Sequence, residues 1–325
     1  MLPKDTVCLS RTASVGYVVV MGLPMSTSQD FVNWVCVEEW LDWRYLKSVL
    51  VSETEALRRF AYGTTHQTIY FPEAKAFHVA LPPVKEQRAI ASVLTALDDK
   101  IDSNRRLAAA TFDVARGRYS GATSDVALGD FGNHVEFHNR RRVPLSGAQR
   151  RERPGIVPYY GATGAFDRVD RALFDEVLLL IGEDGSVVQP DGSPVTQYIW
   201  GPAWVNNHAH VLKGREISTE VALLAIERAD VRSLVTGAVQ PKLNMGNLKR
   251  VPVKVPGGPE LEALEDEIAS LFDSIRALTN ESRTLTTIRD ALLPKLVSGQ
   301  IRVPLSDDSA ESLGAAVAAL NGAAP

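Results

Sequence analysis

The sequence is poor in cysteine, in long apolar runs and in surplus charge, and each shortage excludes something. Two cysteines, Cys8 and Cys36, in 325 residues make neither a disulfide framework nor a metal-ligand pattern. They read as ordinary buried thiols of a cytoplasmic protein. The longest apolar runs, such as Val177 to Ile181, fall far short of the roughly 20 residues that cross a bilayer. No charged stretch followed by an apolar one opens the chain as a secretory signal would, so no membrane association is expected. There is no G-x-S-x-G element, no phosphate-binding glycine loop and no dinucleotide fingerprint. The net charge of -4 does not fit a compact basic DNA-binding module. What is plentiful is apolar residues, at 45% against 23% charged, which is enough to bury a sizeable core and excludes disorder of the whole chain.

The average charge conceals segregation. Residues 126–256 carry 16 Lys and Arg against 14 Asp and Glu, whereas residues 257–325 carry 5 against 11. Arginines cluster further within the first of these segments, as Arg140-Arg141-Arg142 and Arg150-Arg151-x-Arg153. A weakly negative total with this distribution leaves nucleic acid open as a partner.

An internal repeat is the main feature. Shifted by 174 positions, Gly63 to Ile69 falls on Gly237 to Leu243, and Phe77-x-Val79-x-Leu81-Pro82 falls on Val251-x-Val253-x-Val255-Pro256. Glu86, Ala89, Ile90, Leu94, Leu97, Asp99 and Ile101 then fall on Glu260, Ala263, Leu264, Ile268, Leu271, Asp273 and Ile275. With small shifts, Val7 matches Val177 and Ser28-Gln29-Asp30 matches Asn206-Asn207-His208. The period is too long for a solenoid and implies two copies of one domain-plus-helix unit. Each copy holds short strand-like runs, such as Val15 to Val20, Val177 to Ile181 and Tyr198 to Trp200. Each then ends in an alternating strand, Phe77 to Leu81 or Val251 to Val255. The match begins near Val7, so the counterpart of roughly residues 126–170 is absent from the first copy, which reads as incomplete.

Proline follows each of those strands and a long helix begins. From Leu261, spacings of three and four give Leu264, Ile268, Leu271, Ile275, Leu278, Ser282, Leu285, Arg289 and Leu292, a heptad seam of about four heptads. The first helix gives Ile90, Leu94, Leu97 and Ile101, then polar Asn104, and the seam is expected to drift onto Leu107 and Val114. Helices over 83–119 and 259–293 would be rods of about 55 and 52 Å, matched for side-by-side packing. Pro294 and Gly299 are expected to close the second. Residues 306–325 read as a disordered tail.

Catalytic readings are weak. His208-x-His210 could supply two metal ligands, but no third appears at the usual spacing. Glu183-Asp184 between glycines could be paired acids, though a glycine-supported loop is the blander reading.

The stretch Leu81-Pro82-Pro83-Val84-Lys85-Glu86-Gln87-Arg88-Ala89-Ile90, with Leu97-Asp98-Asp99-Lys100-Ile101, resembles the junction of recognition domain and spacer helix in specificity subunits of type I restriction-modification enzymes. Pro158-Tyr159-Tyr160-Gly161-Ala162-Thr163-Gly164 resembles a segment common in those recognition domains. The resemblance runs from about Asp5 to Val303. It implies an α+β protein with two mixed α/β target recognition domains, the first incomplete, separated by two long antiparallel coiled-coil helices. The expected boundaries are 1–82, 83–125 (first helix and linker), 126–256, 257–305 and 306–325. It also implies a non-catalytic subunit that reads a half-site of a split double-stranded DNA target. Methyltransferase and restriction motor-nuclease subunits would dock on it, and S-adenosylmethionine, ATP and Mg would sit on those partners, with no cofactor here. An incomplete first domain would be made good by pairing with a second specificity chain. The alternative is a degenerate scaffold that docks partners through its helices and reads no sequence.

Within this frame, rods of about 50 Å could act as a ruler for half-sites one to two DNA turns apart. Arg140, Arg141, Arg142, Arg150 and Arg151 are the candidates for phosphate contact, against the alternative of a solvated charge run. Base reading needs planar or forked side chains. Candidates are Gln240, Lys242 and Asn244, then Asn206, Asn207 and His208, and Tyr159 and Tyr160. For Asn206 and Asn207 the alternative is turn formation, and for Tyr159 a core aromatic. Lys249, Arg250 and Lys254 flank the last strand as rim charges. Thr68 and Tyr70 stand where the second copy has Lys242 and Asn244, and Gln67 and His66 remain polar, so the two domains would read different bases.

Overall fold

The computed structural model describes residues 1–63, 67–237 and 239–304, so the expected tail and His66 lie outside the described residues. The chain divides into two compact units, Met1–Arg106 with the stretch from Leu278 onward, and Leu107–Ala277. In chain order the first unit holds β1 (Val7–Ser10), β2 (Val18–Val20), β3 (Phe31–Trp34), α1 (Trp43–Ser52), α2 (Thr54–Arg59), α3 (Phe71–Lys75) and the start of α4 (Val84–Ala122). The second holds the rest of α4, then β4 (Leu128–Asp130), β5 (Val135–Phe137), α5 (Gly147–Arg151), β6 (Val157–Tyr160), β7 (Ala165–Val169) and β8 (Phe174–Asp175). It continues with β9 (Leu178–Gly182), β10 (Thr196–Ile199), β11 (Pro202–Val205), β12 (Ala209–Gly214), α6 (Thr219–Ile226), α7 (Met245–Lys249), β13 (Pro252–Lys254) and the first half of α8 (Gly258–Val297).

In the first unit β1 is the middle strand of an antiparallel sheet of order β2-β1-β3. Val7 and Leu9 alternate onto the face that packs on Leu46, Leu50, Leu57 and Ile69. Helix α1 starts at Asp42, whose carboxylate accepts the Arg44 N–H at 2.9 Å. Leu46 and Leu50, one turn apart, face the sheet, while Tyr45 and Val49 face Ile90, Leu94 and Leu97 of α4 and Leu292 and Leu296 of α8. Gln87 of the Pro82–Ile90 stretch is buried and joins these pieces. Its Oε1 accepts the Asp42 N–H at 3.0 Å, and its Nε2 donates to the carbonyls of Trp40 at 2.9 Å and Pro82 at 2.8 Å. Asp98 accepts from Lys47 of α1 at 3.3 Å and from Arg289 of α8 at 2.9 Å. Buried Asn104 donates to Glu281 at 2.8 Å, so here α4 and α8 run antiparallel. A polar pair in an apolar seam fixes register.

In the second unit one antiparallel sheet has order β10-β9-β12-β5, and a second has order β7-β6-β11-β8 with one parallel pair, β6 with β11. Leu178 and Leu180 of β9 face Phe174, Ala203 and Val205, and Leu179 and Ile181 face α6 and the long helices. Alternation along a strand buried on both faces explains the continuous apolar run Val177 to Ile181. All eight residues of α6 are buried. Acids at its two ends hold the long helices: Glu220 takes Arg276 of α8 at 2.6 Å, and Glu227 takes Arg116 of α4 through two bonds of 2.8 and 3.0 Å. Phe112 packs on Phe272, and Arg118 meets Glu267, so α4 and α8 are antiparallel here too.

The repeat is visible in backbone bonds within each unit. Tyr62 bridges Thr68 and Thr236 bridges Lys242, 174 residues later. The Ile69 N–H donates to Arg11, as the Leu243 N–H does to Glu183. The Ser218 N–H, at the cap of α6, is accepted by Glu265 of α8 at 2.5 Å, as Asp42 is by Gln87.

Three local expectations are corrected. Residues 77–81 form no strand, because the second-copy strand β13 exists by pairing with β4, and no described strand lies beside 77–81. Pro294 does not close α8; it sits in the last turns, and buried Leu296 holds the helix to Val297, after which Gly299 takes a φ of +74°. Leu107 and Val114 are exposed, and the seam of α4 instead passes through Asn104, Phe112, Ala115 and Tyr119. Both cysteines are partly or fully buried, and burial raises both thiols, that of Cys36 to about 11 with help from Asp42, as inert thiols require.

Candidate nucleic-acid interface

The β6–β7 hairpin builds one wall of a cleft in the second unit. Its turn is closed by the Gly161 N–H to the Gly164 carbonyl at 2.8 Å. A Cβ on Gly161 would come within 2.9 Å of the Phe166 ring, so the glycine after the tyrosine pair is needed for close approach. The other walls are Asp184-Gly185, the turn Asn206-Asn207-His208 and Gln240. Together they enclose about 440 Å³. The segments are locked to each other through backbone: Glu183 N–H to His208 at 2.8 Å and Gly185 N–H to Pro241 at 3.0 Å.

Several candidate readers prove to be part of the wall. Tyr159 is 1% exposed; its hydroxyl accepts the Leu145 N–H at 2.8 Å, and its ring lies beside Phe166 and Trp204. Asn206 is buried, and its Oδ1 accepts the His208 N–H at 2.8 Å, which is the turn-forming alternative. Asn244 caps α7, accepting the Asn247 N–H at 2.9 Å. Arg142 is 13% exposed and spends its guanidinium on Glu183 at 2.6 Å and the Ala209 carbonyl at 2.7 Å. Arg150 bonds Asp167 at 2.5 Å and the Leu145 carbonyl at 2.7 Å while lying 5.1 Å from both the Tyr159 and Phe166 rings. Arg141 holds Glu176 at 2.8 Å and the Leu173 carbonyl at 2.9 Å. Tyr159, Asn206 and Asn244 are thus engaged in local structure, and Arg142 and Arg150 in ion pairs with Glu183 and Asp167.

What remains presented to solvent is Arg140, Arg151, Asn207, His208, Gln240 and Lys242, all exposed, with Tyr160 and Arg141 more constrained. Lys242 lies 3.7 Å from Glu183, and His208 Nδ1 is hydrogen-bonded to Asp184. The structure brings Asn207, His208 and Gln240 onto one cleft. Arg153, Arg168 and Arg171 extend the basic cluster: Arg168 donates to the Ile156 carbonyl at 2.8 Å, and Arg153 and Arg171 lie within 6 Å of the Trp204 ring. Arg168 and Arg171 carried no signal in sequence, because only the β6–β7 pairing, Pro158 opposite Arg168, sets them beside residues 150–156.

His210, two residues after His208 and within β12, is fully buried. Its Nε2–H donates to the Leu243 carbonyl at 2.7 Å, so Nδ1 is the acceptor for the Asn139 amide at 2.9 Å. Burial lowers its pKa, and Arg142 and Lys242 reinforce that against Leu243 and Glu183. It is a neutral structural group. Glu183 is used by Arg142, Lys242 and His210, and no group of metal-binding side chains exists among the described residues.

Two mixed α/β units, each closed by halves of the same two antiparallel helices, define a duplicated domain-plus-helix protein, and residues 1–110 match the family described as Type I restriction modification DNA specificity domain. Over 93% of its length the chain is 24% identical to the MjaIX type I restriction enzyme specificity subunit of Methanocaldococcus jannaschii, covering 79% of that protein. Its fold is like that of the type I restriction-modification S subunit of M. genitalium, with a TM-score of 0.58 at 19% identity, over 91% of this chain and 83% of the other. The likeness to type I specificity subunits read from the Pro82–Ile101 stretch is borne out. No helix among the described residues is long and apolar enough to cross a membrane.

Proposed function

We propose that the chain is the DNA sequence-recognition subunit of a type I restriction-modification complex, and that its second unit reads one half-site of a two-part target. The observation that carries this reading is the convergence of three exposed polar side chains, Asn207, His208 and Gln240, on one cleft of the unit that also presents the exposed Arg140 and Arg151. Amides and imidazole can address base edges, while Arg140 and Arg151, free of side-chain partners among the described residues, neutralise phosphates. The subunit is non-catalytic. Methyltransferase and restriction subunits assemble on it and bring S-adenosylmethionine, ATP and Mg.

Binding of the full chain to duplex DNA, titrated with salt, tests the reading. The double variant R140A/R151A should weaken binding to all sequences alike and lower the slope of log affinity against log salt by about two. An unchanged slope counts against it. The alternative, a scaffold that reads no sequence, draws on the exposed apolar pair Leu107 and Val114 on α4. It predicts equal affinity for all DNA sequences.

A further inference from the structure

We propose that His208 is a specificity-determining residue that selects a base bearing an exocyclic amino group, adenine or cytosine, with Asp184 as its positioning partner. The proposal rests on the half-site reading above and assigns chemistry to one residue of that cleft.

The imidazole is about half exposed on the cleft, its side chain 48% accessible. Its backbone is fixed by Asn206, and its Nδ1 is hydrogen-bonded to the Asp184 carboxylate. Asp184 is itself held: its side chain is only 16% exposed, and its backbone bridges Lys242. A carboxylate only accepts hydrogen bonds, so Nδ1 carries the proton. In the neutral ring the lone pair is then on Nε2, which has no partner among the described residues. In that form of the ring the cleft presents a bare acceptor at a fixed place.

An acceptor discriminates sharply among base edges. In the major groove the donors are the adenine N6 and cytosine N4 amino groups, whereas guanine offers N7 and O6 and thymine offers O4, all acceptors. Guanine or thymine at this position would set two lone pairs against each other in a partly desolvated site. Asn207 and Gln240 can each turn an amide to donate or accept, so they adapt to the neighbouring base and carry less discrimination.

The test is selection of bound sequences from a randomised duplex library by the full chain at about pH 8.5, for the unchanged protein and for H208A, D184A and H208R. The unchanged protein should prefer adenine or cytosine about tenfold or more at one position. H208A should bring all four bases within about threefold there and leave the other positions as they were. D184A should weaken the same preference, because the ring loses its tautomer and orientation. H208R, which can only donate, should move that position to guanine, a gain that misfolding cannot produce. The assignment is overturned if H208A relaxes no position, if the position it relaxes prefers guanine or thymine in the unchanged protein, or if H208R keeps adenine or cytosine. The half-site reading survives in those cases. An unchanged protein with no preference anywhere overturns both.

Discussion

Replacing Gln87 by methionine keeps the length of the side chain and removes all three of its hydrogen bonds. The group is 1% exposed, so nothing else is at hand to satisfy the N–H of Asp42, the residue whose carboxylate caps α1, or the carbonyls of Trp40 and Pro82. A buried donor left unmade costs about 1–3 kcal/mol, and each carbonyl somewhat less once water reaches it, for a total of about 3–5 kcal/mol. Gln87→Ala should cost more by the cavity it adds. A melt of the whole chain mixes two units, so the measurement should be local: amide hydrogen exchange of Leu46 to Leu50 in α1, with α6 of the second unit as the internal control. Opening of α1 should become about two to four orders of magnitude easier, while α6 is unaffected. A loss under about 1 kcal/mol, or an equal loss in α6, would refute the view that this side chain joins α1 to α4.

Two further outcomes follow from the second unit. His210 has its folded pKa below the free imidazole value, so its contribution to stability is complete above about pH 6.5 and is lost as the pH falls from there. Denaturation curves at stepped pH should show this decline in the second unit, and H210Q should flatten it. Glycines separate by their surroundings: a Cβ at Gly214 would lie 1.9 Å from the Ile217 carbonyl, so G214A should destabilise the second unit by more than about 2 kcal/mol. A Cβ at Gly121 of α4 meets nothing within 4 Å, and G121A should stabilise by about 0.5–1 kcal/mol. Amide hydrogen exchange of α6 in the two variants, with α1 as the control, checks both signs.

The repeat, both long helices and the seam of α8 were legible in sequence because periodicity records which face a helix buries. Leu107 and Val114 misled because an apolar residue is not obliged to be inside, and only the partner helix decides that the seam of α4 passes through Phe112 and Ala115 instead. Residues 77–81 alternate like β13, but a strand needs a neighbour, and alternation says nothing of one. In the cleft, polar residues in turns pointed to Asn207, His208 and Gln240. For Tyr159 the core-aromatic alternative was in view, but the ion pairs of Arg142 and Arg150 were hidden because Glu183 and Asp167 are distant in sequence or on another strand.

The core of the first unit is closed by residues from opposite ends of the chain, with Leu94 and Leu97 lying against Leu292, Leu296 and Val303. During synthesis its sheet, α1 and the start of α4 emerge before α8, and the seam of α1 and α4 stays half-covered until Leu292, Leu296 and Val303 arrive. The second unit, drawn from one continuous stretch, can complete itself first. The unit whose sheet is made first is thus closed after its neighbour, and loss of Leu292, Leu296 and Val303 would strike that unit while sparing the one that carries the cleft.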